Sequence, residues 1–272
     1  MAEAVDDLRR KVALACRVLG NELPGAGHAS ARIPGTNEMW LRCRGGAAGE
    51  HGLALTDVHH VRRVDFDGEG PGRGQLHFAP HETPLHGEVY KALPDVGAVV
   101  HVHPRHAVLC SVVGVEFTPI FGGFSPQLAR ISILGVPIYE RAATVIDKDM
   151  AAEMIQVMGD RDIVLLRGHG IAATGKTVEA ATGLAVRFET LCELMWQVAL
   201  SGRKPFEITP EDKLRYDPRN PNPVVFPDER NWQGVLGRGG GDEEGGGTGW
   251  GGLVQRAQTT FGPPSEELDS DG

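Results

Sequence analysis

The sequence predicts an α/β fold. Three observations predict it: an amphipathic helix opens the chain, a run of short strands in antiparallel style follows, and from residue 82 onward helices alternate with buried apolar strands. With 272 residues, 41% of them hydrophobic, the chain can fill the core such a fold needs.

Val5, Leu8, Val12, Ala15, Cys16 and Leu19 follow helical spacing and predict a helix over 4–19, closed by Gly20 and Asn21. Residues 23–32 form a small-residue turn running into a short strand, and a glycine-rich turn that exposes backbone N–H groups can cradle an anion. Residues 39–43 and 53–56 read as short strands, and 61–66 as a strand entering a tight turn at Asp67-Gly68. Residues 68–74 make the loop tip and 75–78 the return strand.

The stretch 82–103, E-T-P-L-H-G-E-V-Y-K-A-L-P-D-V-G-A-V-V-H-V-H, organises the rest. It reads as a helix carrying Glu82 and His86, a turn at Pro94-Asp95, and an apolar strand ending in His101-Val102-His103-Pro104. Side chains on a strand alternate faces, so His101 and His103 share one face, and Pro104 ends the ladder. A third imidazole follows a second apolar strand in Leu166-Arg167-Gly168-His169-Gly170, where glycine on both sides lets the backbone come close to a metal or substrate. Three neutral imidazoles with an open fourth position suit a catalytic zinc ion, and imidazole also suits iron, so the cofactor expected is a divalent metal, Zn²⁺ or Fe²⁺. Glu82 alone would be an ordinary first-turn carboxylate. Its functional reading depends on the histidines.

Beyond Pro104, residues 107–113 read as a helix, 118–123 as an irregular apolar loop carrying Phe121 and Phe124 nearby, and 133–139 as a strand. Residues 147–158 make a helix with an acidic start, and 162–166 the buried strand that delivers His169. Thr177 caps the longest helix, which runs to about Leu200 with Val178, Ala181, Leu184, Ala185, Phe188, Leu191, Met195 and Val198 on its apolar face. The catalytic domain is expected over 1–204 and a proline-rich arm over 205–236. A glycine-rich acidic tail, expected to be disordered, takes 237–272.

Composition excludes several classes. No apolar run approaches the ~18 residues that span a bilayer, and the first ten residues lack the order of a secretory signal. Cys16, Cys43, Cys110 and Cys192 are scattered and read as buried thiols. A cytoplasmic location is the expectation. The net charge is −9, of which the seven acidic and two basic residues from Leu236 onward supply −5, leaving a nearly balanced body with no nucleic-acid footprint.

Four blocks, Gly27-His28-Ala29-Ser30-Ala31-Arg32, Glu82-x-x-x-His86, Val99-Val100-His101-x-His103 and Leu166-x-Gly168-His169-Gly170, occur in an order that resembles the class II aldolase/adducin family over residues 5–202. The resemblance implies a three-layer α/β/α sandwich around a mixed, largely antiparallel sheet, and a homo-oligomer, a cyclic tetramer with the metal site at an interface. It implies His101, His103 and His169 as metal ligands and Glu82 as the acid/base beside them. The chemistry implied is carbanion chemistry, in which a Lewis-acidic cation stabilises the enediolate left when a carbon–carbon bond breaks and Glu82 shuttles the proton.

The sequence departs from the sugar-phosphate members. Where they hold phosphate with an asparagine and a pair of serines, it has His28 and Pro80-His81, and it has no tyrosine between His106 and Ile138. A proline offers no N–H to a dianion. These losses, with Phe121 and Phe124 in the loop, point to an unphosphorylated, carboxylated substrate such as an aromatic acid. Gly27, His28, Ser30, Arg32, His81 and Phe121 are the candidate substrate contacts, with His28, Arg32, His81 and Arg105 able to rim a carboxylate. His106 falls beyond the strand face and reads as a packed or solvent-facing histidine. The leading reading is a metal-dependent lyase, decarboxylase or aldolase. Its alternatives are an iron oxygenase that oxidatively shortens an aryl 2-oxo acid, as in the aminocoumarin branch of the family, and a metal-free adducin-like interaction module, which would require the ligands to be missing.

Overall fold

Strand periodicity builds two cores, one on each face of a single sheet. The computed structural model of the chain describes residues 2–45, 52–69, 77–120, 126–217, 219–221 and 249–265. Helix α1 (Ala2–Glu22) leads into β1 (Gly27–Arg32), β2 (Glu38–Arg42), β3 (Arg44–Gly45), β4 (Val61–Asp65) and β5 (His77–Phe78). Then come α2 (Thr83–Ala92), β6 (Ala98–Val102), α3 (Arg105–Val113), α4 (Pro126–Leu134), β7 (Ile138–Tyr139) and α5 (Lys148–Met158). The chain continues through β8 (Ile163–Leu166), β9 (Gly170–Gly175), α6 (Val178–Leu200), α7 (Pro210–Tyr216) and α8 (Trp250–Phe261). Seven strands lie in the order β4-β2-β1-β6-β9-β8-β7. Every pairing is antiparallel except β7 with β8, and β3 pairs with β5 apart from the main sheet. This is the mixed, largely antiparallel sheet, flanked by helices, that the resemblance implies.

Alternation on β6 decides where the histidines emerge. Ala98, Val100 and Val102 enter one core with Val12, Cys16 and Leu19 of α1 and Phe188 and Leu191 of α6. Val99 points the other way, into a second core with Leu85 and Val89 of α2 and Met150 and Met154 of α5. His101 and His103 are in phase with Val99 and so come out on the α2/α5 face. Each fully buried apolar side chain contributes roughly 1.5–3 kcal/mol, so the register is firmly held, and a one-residue slip would turn both imidazoles into the α1/α6 core.

Where the structure differs from the sequence reading, the reasons are local. Gly20 does not stop α1, which runs on to Glu22. A Cβ at Gly20 would lie 2.2 Å from the Ala54 backbone nitrogen, so the glycine makes room for the segment 53–56. That segment is a 3-10 turn, Leu53–Leu55, rather than a strand. Of the return strand read at 75–78, His77–Phe78 form β5, and residues 75 and 76 lie outside the described residues. The strand read at 133–139 is the end of α4 followed by Ile138–Tyr139, since Pro137 cannot donate to a ladder. β9, Gly170–Gly175, carries no strand signal in the sequence because its alanines and glycines show no alternation.

The disorder expected for 237–272 is corrected over 249–265. There α8 packs Leu253 and Ala257 against Val18 of α1. Residues 222–248 lie outside the described residues, and within the proline-rich arm α7 forms behind its Thr209 cap. Glycine content hid α8, although Trp250, Leu253, Val254 and Ala257 carry helical spacing. Arg17 fastens it: the guanidinium donates to the carbonyls of Phe261 (2.9 Å) and Gly262 (3.0 Å), to Thr56 O (2.8 Å) and to Asp57 Oδ1 (2.6 Å). A cation on the last carbonyls of a helix also meets the negative end of its dipole. Arg17→Met is expected to lower stability by about 2–4 kcal/mol, because it strips a charged donor from four acceptors, and a urea titration would read this as a lower midpoint. No helix among the described residues is long and apolar enough to cross a membrane.

Candidate metal centre

Sheet register sets the first two positions. His28 of β1 stands directly across from His101 of β6, which in turn stands across from Ala172 of β9. His101 is fully buried, and its Nδ1 donates to the Ile171 carbonyl oxygen at 2.8 Å. That bond fixes the tautomer and leaves the Nε2 lone pair free. His103, just past the strand end, keeps to the same face as period 2 requires, with its Nε2 3.0 Å from His101 Nε2.

His169 arrives from the tight turn between β8 and β9. Gly168 takes φ +66 there, the left-handed region glycine enters without cost. At Gly170 a Cβ would lie 2.3 Å from the Val102 carbonyl oxygen and 2.9 Å from the His103 ring. Gly168 thus supplies the left-handed turn and Gly170 the room to pack that turn on β6. The three rings end with centroids 4.6–4.9 Å apart.

Glu82 occupies the N-cap position of α2 but does not cap it with its side chain. Instead Oε1 accepts from the Val145 backbone N–H at 3.3 Å and faces His169 Nε2 at 3.5 Å. Oε2 faces His101 Nε2 at 3.0 Å and His28 Nε2 at 3.8 Å. Because His101 Nδ1 is the donor to Ile171, Oε2 and His101 Nε2 are two acceptors at contact distance, an arrangement that calls for a proton or a cation between them.

Glu82, His101, His103 and His169 each offer a ligand atom, all within 4.8 Å of one another. Tetrahedral zinc, with ligands at about 2.0–2.1 Å, would space them by roughly 3.3 Å. The donor set fits a divalent metal of the kind nitrogen and oxygen ligands hold. A second group, Asp57, His59 and His60, is spent on structure: Asp57 accepts from Arg17 and from the Ser265 N–H, and its own N–H donates to His60 Nδ1.

Burial dominates the electrostatics. It lowers His28 and His103 to about 4, and His86 and His169 also fall, with repulsion from neighbouring imidazoles adding to the effect. For Glu82 burial pushes the carboxyl up, but the neighbouring imidazoles of His101 and His28 outweigh it and hold the group well below the usual carboxylate range. An unfolded histidine titrates near 6.5, so between pH 6.5 and 4 the unfolded chain binds more protons than the folded one. Stability in the metal-free protein is therefore full above about pH 6.5 and is lost as pH falls through about 4. Urea midpoints measured from pH 7 down to pH 4 should fall steadily, and a flat profile would show that these rings charge without leaving the fold. Metal affinity should fall in the same direction.

The other candidates separate by position. Gly27 lets β1 close on β6, since a Cβ there would sit 2.5 Å from the His101 carbonyl oxygen. His28 lies beside the centre, its ring 5.1 Å from that of His101. Ser30 is on the same face but buried behind His28. Arg32 is a correction: four residues along a strand is roughly 13 Å from His28, and its guanidinium is committed to the carbonyls of Tyr90, Leu93 and Val96 and stacked over Phe66 and Tyr90. It does not rim the site. His81 is exposed in the turn before Glu82, Arg105 is exposed at the start of α3, and Phe121 lies outside the described residues. His106 bonds Glu189, which also accepts from the first N–H groups of α3, and takes no part in the centre. The Val145 amide and the buried His86 are the participants sequence reading did not place.

Residues 12–196 match the family described as class II aldolase and adducin N-terminal domain. The chain is 42% identical over 200 residues to a 3,4-dihydroxyphthalate decarboxylase of Arthrobacter keyseri, covering 71% of this chain and 79% of that protein. It is 38% identical over 209 residues to the protein of the same name from Terrabacter sp. (strain DBF63), covering 75% and 86%. In fold it superposes on an aldolase II superfamily protein from Pseudomonas syringae with a TM-score of 0.70, over 95% of this chain and 94% of that one at 20% identity.

Proposed function

The chain belongs to the class II aldolase and adducin family, and on that premise we propose that it is a decarboxylase of an aromatic carboxylate of the 3,4-dihydroxyphthalate kind. The observation that carries the reading is Glu82 aimed at three converging imidazoles, in a chain whose relatives of that name reach 42% identity. The presence of every ligand argues against the adducin-like module. His28 and Pro80-His81, in place of a phosphate nest, favour a carboxylate over a sugar phosphate.

Such a substrate carries vicinal hydroxyls, an enediol locked into a ring, with one carboxylate ortho to a hydroxyl. The bond from ring carbon to that carboxylate breaks, CO₂ leaves, and the ring carbon gains a proton. A divalent cation held by His101, His103 and His169, zinc or iron, would supply a Lewis acid that stabilises negative charge on the ring oxygens. Glu82, ionised and within reach of His101 and His169, takes the proton of the ortho hydroxyl and returns it to the ring carbon. Solvent then reprotonates the phenolate. His28 and His81 contact the substrate's anionic oxygens, and the chain works as a homo-oligomer, a tetramer in keeping with its family.

The test is 3,4-dihydroxyphthalate supplied to metal-loaded protein under nitrogen and in air, with CO₂ and ring product quantified. One CO₂ per ring without oxygen is expected. Turnover that requires O₂ would favour the oxygenase, and no turnover in either atmosphere would reject the substrate. Metal analysis of protein purified without air names the ion.

A further inference from the structure

A buried chain of polar groups runs from the metal centre in under α2. Tyr90, Ser30, His86 and His28 are all buried, His86 completely. The Tyr90 hydroxyl lies 2.7 Å from Ser30 Oγ, which lies 2.7 Å from His86 Nδ1. His86 Nε2 lies 2.6 Å from His28 Nδ1, and His28 Nε2 faces Glu82 Oε2 at 3.8 Å.

Proton counting gives this chain a direction. Each neutral imidazole has one N–H and one bare nitrogen, so the His86 N–H goes either to His28, with the chain running toward Glu82, or to Ser30, with the chain running away from it. His86 and His28 are buried, and burial favours the neutral imidazole that the count requires. Run away from Glu82, the chain would turn a bare His28 Nε2 lone pair toward an ionised carboxylate. It would also leave one O–H of the Tyr90–Ser30 pair, whose oxygens lie 2.7 Å apart, buried with nothing among the described residues to donate to, at a cost of about 1–3 kcal/mol. Run toward Glu82, each donor within the chain has its acceptor: Tyr90 donates to Ser30, Ser30 to His86 Nδ1, and His86 Nε2–H to His28 Nδ1, and the His28 Nε2–H is left facing Glu82. Both ends select the same direction.

We propose that Tyr90, Ser30 and His86 are positioning residues that lock His28 in its Nε2–H tautomer, making His28 a fixed donor, never an acceptor, to an anionic substrate oxygen beside Glu82. This rests on the reading that the centre takes a carboxylated ring, and it adds selectivity. A group that only donates favours a carboxylate or phenolate over a neutral hydroxyl that would itself need an acceptor. It also keeps the His28 lone pair out of the metal's reach, so His28 does not compete as a fourth imidazole ligand.

The experiment has two arms. In ring-¹⁵N-histidine-labelled full-length protein, two-bond ¹H–¹⁵N correlations report which nitrogen carries each proton. His28 is expected with its proton on Nε2 and a bare Nδ1, and a proton on Nδ1 would overturn the proposal whatever the substrate is. In the second arm His86→Leu, which removes the donor, should raise KM for 3,4-dihydroxyphthalate about tenfold with kcat within about twofold and metal content unchanged. His86→Gln, which keeps an N–H toward His28 and an acceptor toward Ser30, should recover most of that loss. An unchanged KM in His86→Leu, or equal damage in both variants, would reduce His86 to packing and sink the proposal. A wild-type protein that does not turn over this substrate would defeat the substrate reading alone, with the tautomer still deciding the chain.

Discussion

Replacing His169 with alanine is expected to remove the metal and the activity together while leaving the fold intact. The ring is one of three imidazoles, and a cation held by the remaining pair is bound far more weakly than one held by three ligands. Loss of the Lewis acid should cost roughly three orders of magnitude in kcat/KM, about 4 kcal/mol of transition-state stabilisation. Little stability should go with it. His169 sits in a turn, its Nδ1 is buried without a well-formed hydrogen bond, and the residues that shape the turn are its neighbours Gly168 and Gly170. Elemental analysis, a circular dichroism spectrum and steady-state kinetics on the same preparation would separate the outcomes. Stoichiometric metal with normal turnover would strike His169 from the ligand set. As an internal control, His106→Ala should keep the metal, since His106 is tied to Glu189 and stands apart from the centre.

The parts of the site that were legible in the sequence are those governed by strand period. His101-x-His103 ending an apolar run had to share a face, and the Pro104 stop put that face at a strand end. His169 was legible through its glycines, which have a folding task of their own: Gly168 takes the left-handed turn and Gly170 fits it against Val102 and His103. Arg32 shows where period fails. It does share a face with His28, yet same face says nothing about distance along the strand, and its donors go to the end of α2. His86 was visible as the last residue of Glu82-x-x-x-His86. Its task depends on the pairing of β1 with β6 and the seating of α2 on them, which only the assembled sheet reveals. Gly20 and α8 share one lesson, since both were read from glycine's reluctance to be ordered. In each case burial against a neighbour, Ala54 for the one and Val18 for the other, outweighs that reluctance.

Glu82→Gln is expected to separate metal binding from turnover. The amide has the size of the carboxylate and keeps an oxygen for the Val145 N–H, while the three imidazoles that hold the cation are untouched. Metal content should stay near wild type, with affinity lowered because one negative charge beside the cation is gone. What disappears is the capacity to take a proton from the substrate and deliver it to the ring carbon, a function worth about a hundred- to ten-thousandfold in general acid–base catalysis. The loss should fall on kcat, with KM changed little, because the proton moves in the transition state and not on binding. Stability should fall modestly, since the surrounding imidazoles hold the folded-state carboxyl well below its usual range and a neutral amide forfeits that favourable interaction while sparing only the desolvation cost. The pattern to look for is full metal occupancy, an intact thermal transition and a kcat reduced at least a hundredfold. Undiminished turnover in this variant would mean the proton travels by another group, and the exposed His81 next to Glu82 would be the first to replace.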